Sequence, residues 1–213
     1  MFAAYTEASQ QAMNNLRSAA NFQWYLVPLL ALVLYVYIVE IERKRWDIVL
    51  TAFGFFCAEL VWEMFNALVL HISNRSAMWT TPGDTAYLIF VGLTIEISMM
   101  FAVAGIGFLK LLPEDRKSKI LGLPNRLFYA IVFGGFCVFV EVILNQWGVL
   151  VWEYGWWSWP HIWLILLVYI GGFYVLAQIF DRTSLKTKLI LGCACFSTAV
   201  ICFLVFAKAL KWI

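Results

Sequence analysis

The chain has 213 residues, of which 63% are hydrophobic and only 13% charged, with a formal net charge of +2. That composition excludes a soluble fold and describes a protein of the bilayer. The few basic residues stand beside no base-stacking motif, so no nucleic-acid partner is expected.

The predicted elements run as follows. Residues 1–20 are too polar for the apolar core of a signal peptide and read as a short amphipathic or frayed lead-in. Residues 24–41, 48–70, 86–109, 127–144, 161–180 and 189–207 are each long and apolar. A span needs about 20 residues at 1.5 Å per residue. The runs are continuously apolar rather than alternating, which favours helices over a barrel. The expectation is all-α: a polytopic integral membrane helix bundle with six transmembrane helices, or seven if 146–158 re-enters. Residues 1–213 form a single transmembrane domain without internal repeats.

Orientation follows from the short loops. Arg43, Lys44 and Arg45 lie between the first and second spans, and Lys110, Arg116, Lys117, Lys119 and Arg126 between the third and fourth. Arg182, Lys186 and Lys188 lie between the fifth and sixth. These alternate loops are expected in the cytoplasm, with both termini, the 71–85 loop and the 145–160 loop on the other side. Glu40 and Glu42 stand at a helix end beside Arg43 to Arg45 and are expected to be solvated.

Within the spans four carboxyl groups demand a reason: Glu59, Glu63, Glu96 and Glu141. A carboxylate survives in hydrocarbon mainly where it faces a protein interior or a wet cavity. Glu59, Glu63 and Asn66 are spaced four and three apart and share one helix face. Glu59 and Glu63 are about 6 Å apart along the axis, too close for both to ionise readily in a low dielectric. By rise alone, Glu63 lies about 24 Å up its span and Glu141 about 22 Å up its own. Asn145 is one turn beyond Glu141 on the same face. The four glutamates therefore converge on one interior cavity, with inter-helix packing as the plainer alternative for each.

The loop 147–159 holds Trp147, Trp152, Tyr154, Trp156, Trp157 and Trp159 around Glu153, without Lys or Arg. It reads either as an interfacial anchor or as a lid whose Trp152, Glu153, Trp156 and Trp157 join the cavity wall. Trp62, Asn66, Asn145 and Tyr169 are the other candidate substrate contacts. The glycine pairs Gly134–Gly135 and Gly171–Gly172, with Gly105 and Gly107, read as close helix contacts.

No HExxH or His cluster is present, so no metal is expected, and no phosphate-binding or dinucleotide loop suggests a cofactor. The cysteines fall inside spans without a CxxC pair, and no disulfide is expected. Acids, aromatic faces and amides without fixed positive charge suit an apolar substrate that is protonated and passes through a cation. Isoprenoids and related lipids are such substrates.

The segment Trp62-Glu63-Met64-Phe65-Asn66 resembles the Trp-Glu pair and following aromatic and amide positions of the small integral-membrane terpene cyclases of meroterpenoid and indole-diterpene pathways. The resemblance covers about one helix. It implies a compact helical bundle in which Glu63 is the acid that protonates an epoxide or alkene. Those cyclases have seven spans and a second acid near the C-terminal end, where this chain has Lys208 and Lys211. Glu141 or Glu153 then stands in for it. The alternatives are a proton- or ion-coupled transporter or channel, in which the glutamates relay protons, and a non-catalytic lipid-binding or assembly subunit.

Overall fold

The computed structural model describes residues 5–213; the first four residues of the predicted lead-in lie outside them. The lead-in forms helix α1, Glu7–Asn15, capped by Thr6, whose Oγ1 accepts the Ser9 amide at 3.3 Å. Long helices follow: α2, Leu26–Glu42; α3, Trp46–Ser73; α4, Ile95–Leu111; α5, Asn125–Gln146; α6, Trp163–Arg182; and α7, Leu185–Cys202. The last continues as a π-helical stretch over Phe203–Ala209.

Four of these are long and apolar enough to cross a membrane: α3, α5, α6, and α7 with its extension to Ala209. Helices α2 and α4 have 17 residues each. Helix α4 is shorter than the sequence predicts, because residues 86–94 are not helical. Strand β2, Leu88–Phe90, pairs antiparallel with β3, Leu93–Thr94, and the helix begins only where Thr94 Oγ1 accepts the Ile97 amide at 3.2 Å. Apolar content alone does not separate a buried strand from a helix segment. Gly92 makes the hairpin fit, since a Cβ there would stand 2.4 Å from Asn66 Nδ2 and 2.6 Å from Trp79 Nε1.

Nor do residues 146–158 re-enter as a further membrane-spanning helix. They hold strand β6, Val151–Trp152, and lead into a single 3-10 turn at Gly155–Trp157. Strand β6 pairs antiparallel with β1, Trp79–Thr80, which joins the loop after α3 to the loop after α5. The Thr6 amide donates to Arg75 O at 3.1 Å and the Arg17 amide to Leu88 O at 2.9 Å. Both described ends of the chain and both tryptophan-bearing loops thus share one end of the bundle.

The opposite end is held by ion pairs and the β4–β5 hairpin, Lys119–Ile120 with Leu123–Pro124. Arg126 grips Asp181 in a two-point fork, Nε to Oδ2 at 2.7 Å and Nη2 to Oδ1 at 3.0 Å. Glu40 is fully buried rather than solvated, paired with Lys110 Nζ at 2.7 Å and Arg45 Nη1 at 3.5 Å. Lys110 arrives from α4, a partner that spacing along α2 does not reveal.

Small residues let the helices approach. Helix α3 meets α7 at Gly54 and Gly192, where a Cβ on the first would lie 3.6 Å from the second's Cα. It meets α4 where Gly105 faces Ala52, and α5 meets α6 where Gly134 faces the Ile170 backbone. The result is a group of α2, α4, α3 and α7 facing a pair, α5 and α6. A cavity lies between them.

A three-carboxyl cavity as the candidate functional site

The cavity has a volume of about 810 Å³ and is bordered by every long helix from α2 to α7. Its wall follows α3 from Leu50 and Thr51 to Glu63, roughly 18 Å at 1.5 Å per residue for the last twelve residues. Most of that wall is apolar. Gly107, Gly171 and Gly172 line it, and a Cβ on any of them would meet nothing within 4 Å. These three glycines keep space open, whereas Gly105 and Gly134 bring helices together. The sequence reading assigned all of them to packing.

Three of the four predicted glutamates line this cavity: Glu59, Glu63 and Glu141. Glu63 is buried, with one oxygen, Oε1, accepting the Trp79 indole N–H at 3.2 Å. Its other oxygen, Oε2, is enclosed and has no hydrogen-bond partner among the described residues. Glu141 is satisfied on both oxygens: Trp152 Nε1 donates to Oε2 at 3.3 Å, and the Tyr169 hydroxyl donates to Oε1. Glu59, one turn from Glu63, makes no hydrogen bond or ion pair among the described residues.

The two indole donors are set by one piece of backbone. Trp79 and Trp152 are register partners in the β1–β6 ladder, and each turns its N–H to a different glutamate. Asn66 fixes the ladder to α3. Its Oδ1 accepts the Met78 and Trp79 amides at 2.8 and 3.3 Å, and its Nδ2 donates to Trp79 O at 2.8 Å. Asn66 is therefore not a wall residue; it positions the tryptophan that holds Glu63. Sequence reasoning missed Trp79, which looks like any other interfacial tryptophan. Its one signal is an Asn a turn beyond a buried Glu, spare enough in donors and acceptors to hold a returning loop.

Aromatic faces surround the acids. Trp79 lies between Trp62 at 6.2 Å and Trp157 at 5.6 Å between ring centres, and all three line the cavity. Tyr169 stacks on Phe101 at 6.3 Å. Trp157 thus joins the wall, and Trp152 touches it through Glu141.

The remaining predicted residues lie elsewhere. Glu96 turns away from the cavity at the start of α4, where it accepts Thr85 Oγ1 at 2.6 Å, the Ala86 amide at 3.0 Å and the Tyr25 hydroxyl. Spacing gave its depth but not its direction. Glu153 accepts the hydroxyls of Thr6, Ser9 and Thr80 at 2.7, 3.1 and 3.4 Å, tying α1 to the ladder. Asn145 Nδ2 donates to Leu150 O at 3.0 Å and closes the turn after α5. Trp156 is 52% exposed and does not reach the cavity. No set of three His, Cys, Asp or Glu side chains among the described residues is placed to hold a metal ion.

At the far end Lys188 borders the cavity, its Nζ donating to Phe180 O at 2.8 Å and Thr183 O at 3.2 Å at the end of α6. Chemically, the arrangement offers one carboxyl with a free oxygen, one held by two donors, one unengaged, and aromatic faces in a largely apolar space.

Residues 6–208 match a family model described as an uncharacterized membrane protein family. The chain is also similar to a protein of Archaeoglobus fulgidus that carries the name "Uncharacterized protein". The two are 44% identical over 209 residues, covering 98% of this chain and 99% of that protein. No solved structure matches. The chain therefore belongs to this uncharacterized membrane protein family and is a helical membrane protein.

Proposed function

We propose that this protein is an integral-membrane enzyme that performs acid-initiated chemistry, such as cyclisation, isomerisation or hydration, on an isoprenoid or other lipidic substrate. The proposal takes residues 1–213 as one domain with six spans. Helices α2 and α4, at 17 residues, reach the lower end of the range that crosses a bilayer. It keeps the termini and the β1–β6 ladder on the non-cytoplasmic side, on the strength of the basic alternate loops.

The observation that carries the reading is the enclosed, unpartnered Oε2 of Glu63 in the wall of an apolar cavity. A buried polar atom without a partner calls for a reason. Here the reason is a proton on Oε2, presented to a substrate that forms no hydrogen bond with it beforehand. Protonation of an alkene makes a C–H bond from the carbon–carbon π pair and leaves Glu63 as carboxylate and the substrate as a carbocation. Trp62, Trp79 and Trp157 offer their faces to that charge, worth ~2 kcal/mol or more when desolvated. Glu141, which two donors hold as an acceptor, takes the proton lost from the neighbouring carbon or holds the developing charge. Glu59, one turn from Glu63 on the same cavity wall, can return the proton. The resemblance of Trp62-Glu63-Met64-Phe65-Asn66 to the Trp-Glu segment of membrane terpene cyclases favours the same assignment of Glu63.

Helices α4 and α5, and α6 and α7, are not closely packed against one another, so the cavity can open sideways to lipid. A lipidic substrate would enter there. The test is turnover of isoprenoid alkenes and terminal epoxides by the protein in liposomes made in D2O. Deuterium in a cyclised or isomerised product, lost in Glu63→Gln, is the expected result. Product formed equally by Glu63→Gln would remove Glu63 from the reaction.

A second reading, proton- or ion-coupled transport, draws on the far end of the cavity. Thr51 and Lys188 continue its polar lining beyond Glu59. Flux across the same liposomes without lipid conversion would select it. Lipid retained without flux or conversion would select a lipid-binding or assembly subunit.

A further inference from the structure

A second cavity, of about 500 Å³, opens at the end of the bundle that carries both described ends of the chain. It lies between α1, α3, the β2–β3 hairpin and the segment that follows α7. Its charged side chains are Arg17, Lys208 and Lys211, and no Asp or Glu borders it among the described residues. The rest of its wall is apolar, with Leu16, Leu70, Val91 and Trp212 among the larger groups.

Arg17 is held in place by built contacts. Its backbone takes the left-handed conformation at φ 56°, and its amide donates to Leu88 O at 2.9 Å. Its guanidinium lies over the rings of Phe90 and Phe203, 5.8 and 5.4 Å from their centres. Nη1 donates to Ile213 O at 3.1 Å. Nε and Nη2 are enclosed and donate to nothing among the described residues. These two nitrogens form one edge of the guanidinium fork, the edge that matches two oxygens of a phosphate or carboxylate. Burial holds the guanidinium below its ordinary pKa, against an opposing effect of Tyr87.

We propose that this cavity binds a phosphate-bearing anion, with two oxygens on Arg17 Nε and Nη2 and the remaining charge met by Lys208 and Lys211. The site is independent of the acid chemistry proposed for the larger cavity. Its chemistry fits two sources, an anionic phospholipid headgroup or a free phosphate. The apolar wall would seat the glycerol and first methylenes of the former.

The full-length protein, purified in neutral detergent, tests this with two probes. One is phosphatidylglycerol in a phosphatidylcholine background, read by native mass spectrometry and by the thermal midpoint. The other is inorganic phosphate against chloride at equal ionic strength, read by the midpoint alone. The wild type is expected to retain phosphatidylglycerol at least tenfold more than the double variant Lys208→Gln with Lys211→Gln, which keeps every contact of Arg17. Arg17→Gln also removes the anchor on Ile213, so the double variant is the decisive one. Protection by phosphatidylglycerol alone identifies the headgroup source, and equal protection by phosphate identifies the free anion. A double variant that responds to either probe as the wild type does, or a wild type that responds to neither, would overturn the proposal.

Discussion

Two glutamates face one cavity from opposite sides, and the donors that meet them differ. Glu63 on α3 and Glu141 on α5 each accept an indole N–H, from tryptophans that are partners in the same two-residue ladder. Glu141 then receives a second donor, Tyr169, while the second oxygen of Glu63 receives none. The proposed difference in role rests on that one hydroxyl group. A carboxyl met by donors on both oxygens suits the acceptor form, and one with an empty oxygen suits the acid. In that proposal neighbours, more than depth in the membrane, distinguish the two.

The strongest way to break this comparison is to remove the acids in turn. General acid catalysis contributes typically 10²–10⁴-fold, so Glu63→Gln should lower turnover by about that order while lipid binding is kept. Glu141→Gln should cost less, about 10²-fold at most, because Trp62, Trp79 and Trp157 still offer their faces to the substrate cation. Equal losses in steady-state assays of both variants would erase the proposed difference in role.

Next in size is the support beneath Glu63. Asn66→Ala leaves the buried Met78 amide without its acceptor and frees Trp79. An unsatisfied buried group costs about 1–3 kcal/mol, which should appear as a lower thermal midpoint together with reduced turnover. Trp79→Phe keeps an aromatic face but removes the donor to Glu63. A loss of about 1 kcal/mol, roughly fivefold, is expected in kcat with KM little changed, and the same change at Trp152 should act through Glu141 instead. A double-mutant cycle between Trp79→Phe and Glu63→Gln should show coupling, and one between Trp79→Phe and Glu141→Gln much less. The smallest effect is steric. Gly171→Ala adds a methyl to open cavity and should leave the fold intact while shortening the longest chain the protein accepts, as read from a series of substrate lengths.

The sequence reading and the structure agree where a single helix suffices as evidence. Long apolar runs locate the helices. Two glutamates four residues apart in such a run locate the cavity wall, because the period of a helix puts them on one face. Agreement ends where a second segment decides the outcome. Residues 88–94 are as apolar as a span, yet Gly92 fits only beneath Asn66 and Trp79, and the chain pairs as a hairpin there. Glu96 and Glu153 are buried-looking acids whose partners are hydroxyls and amides of distant loops. Glu40 is rescued from solvent by Lys110 on another helix. The role of Trp79 depends on its pairing with Trp152, far along the chain, and nothing local announces it.

The account turns on a proton held by Glu63 and not by Glu141. Infrared spectroscopy of the protein in lipid at neutral pH reads this directly from the carbonyl stretch of a protonated carboxyl group. The account predicts a band, shifted in D2O, that is lost in Glu63→Gln and kept in Glu141→Gln. A band lost only in Glu141→Gln, or unchanged in Glu63→Gln, would contradict it.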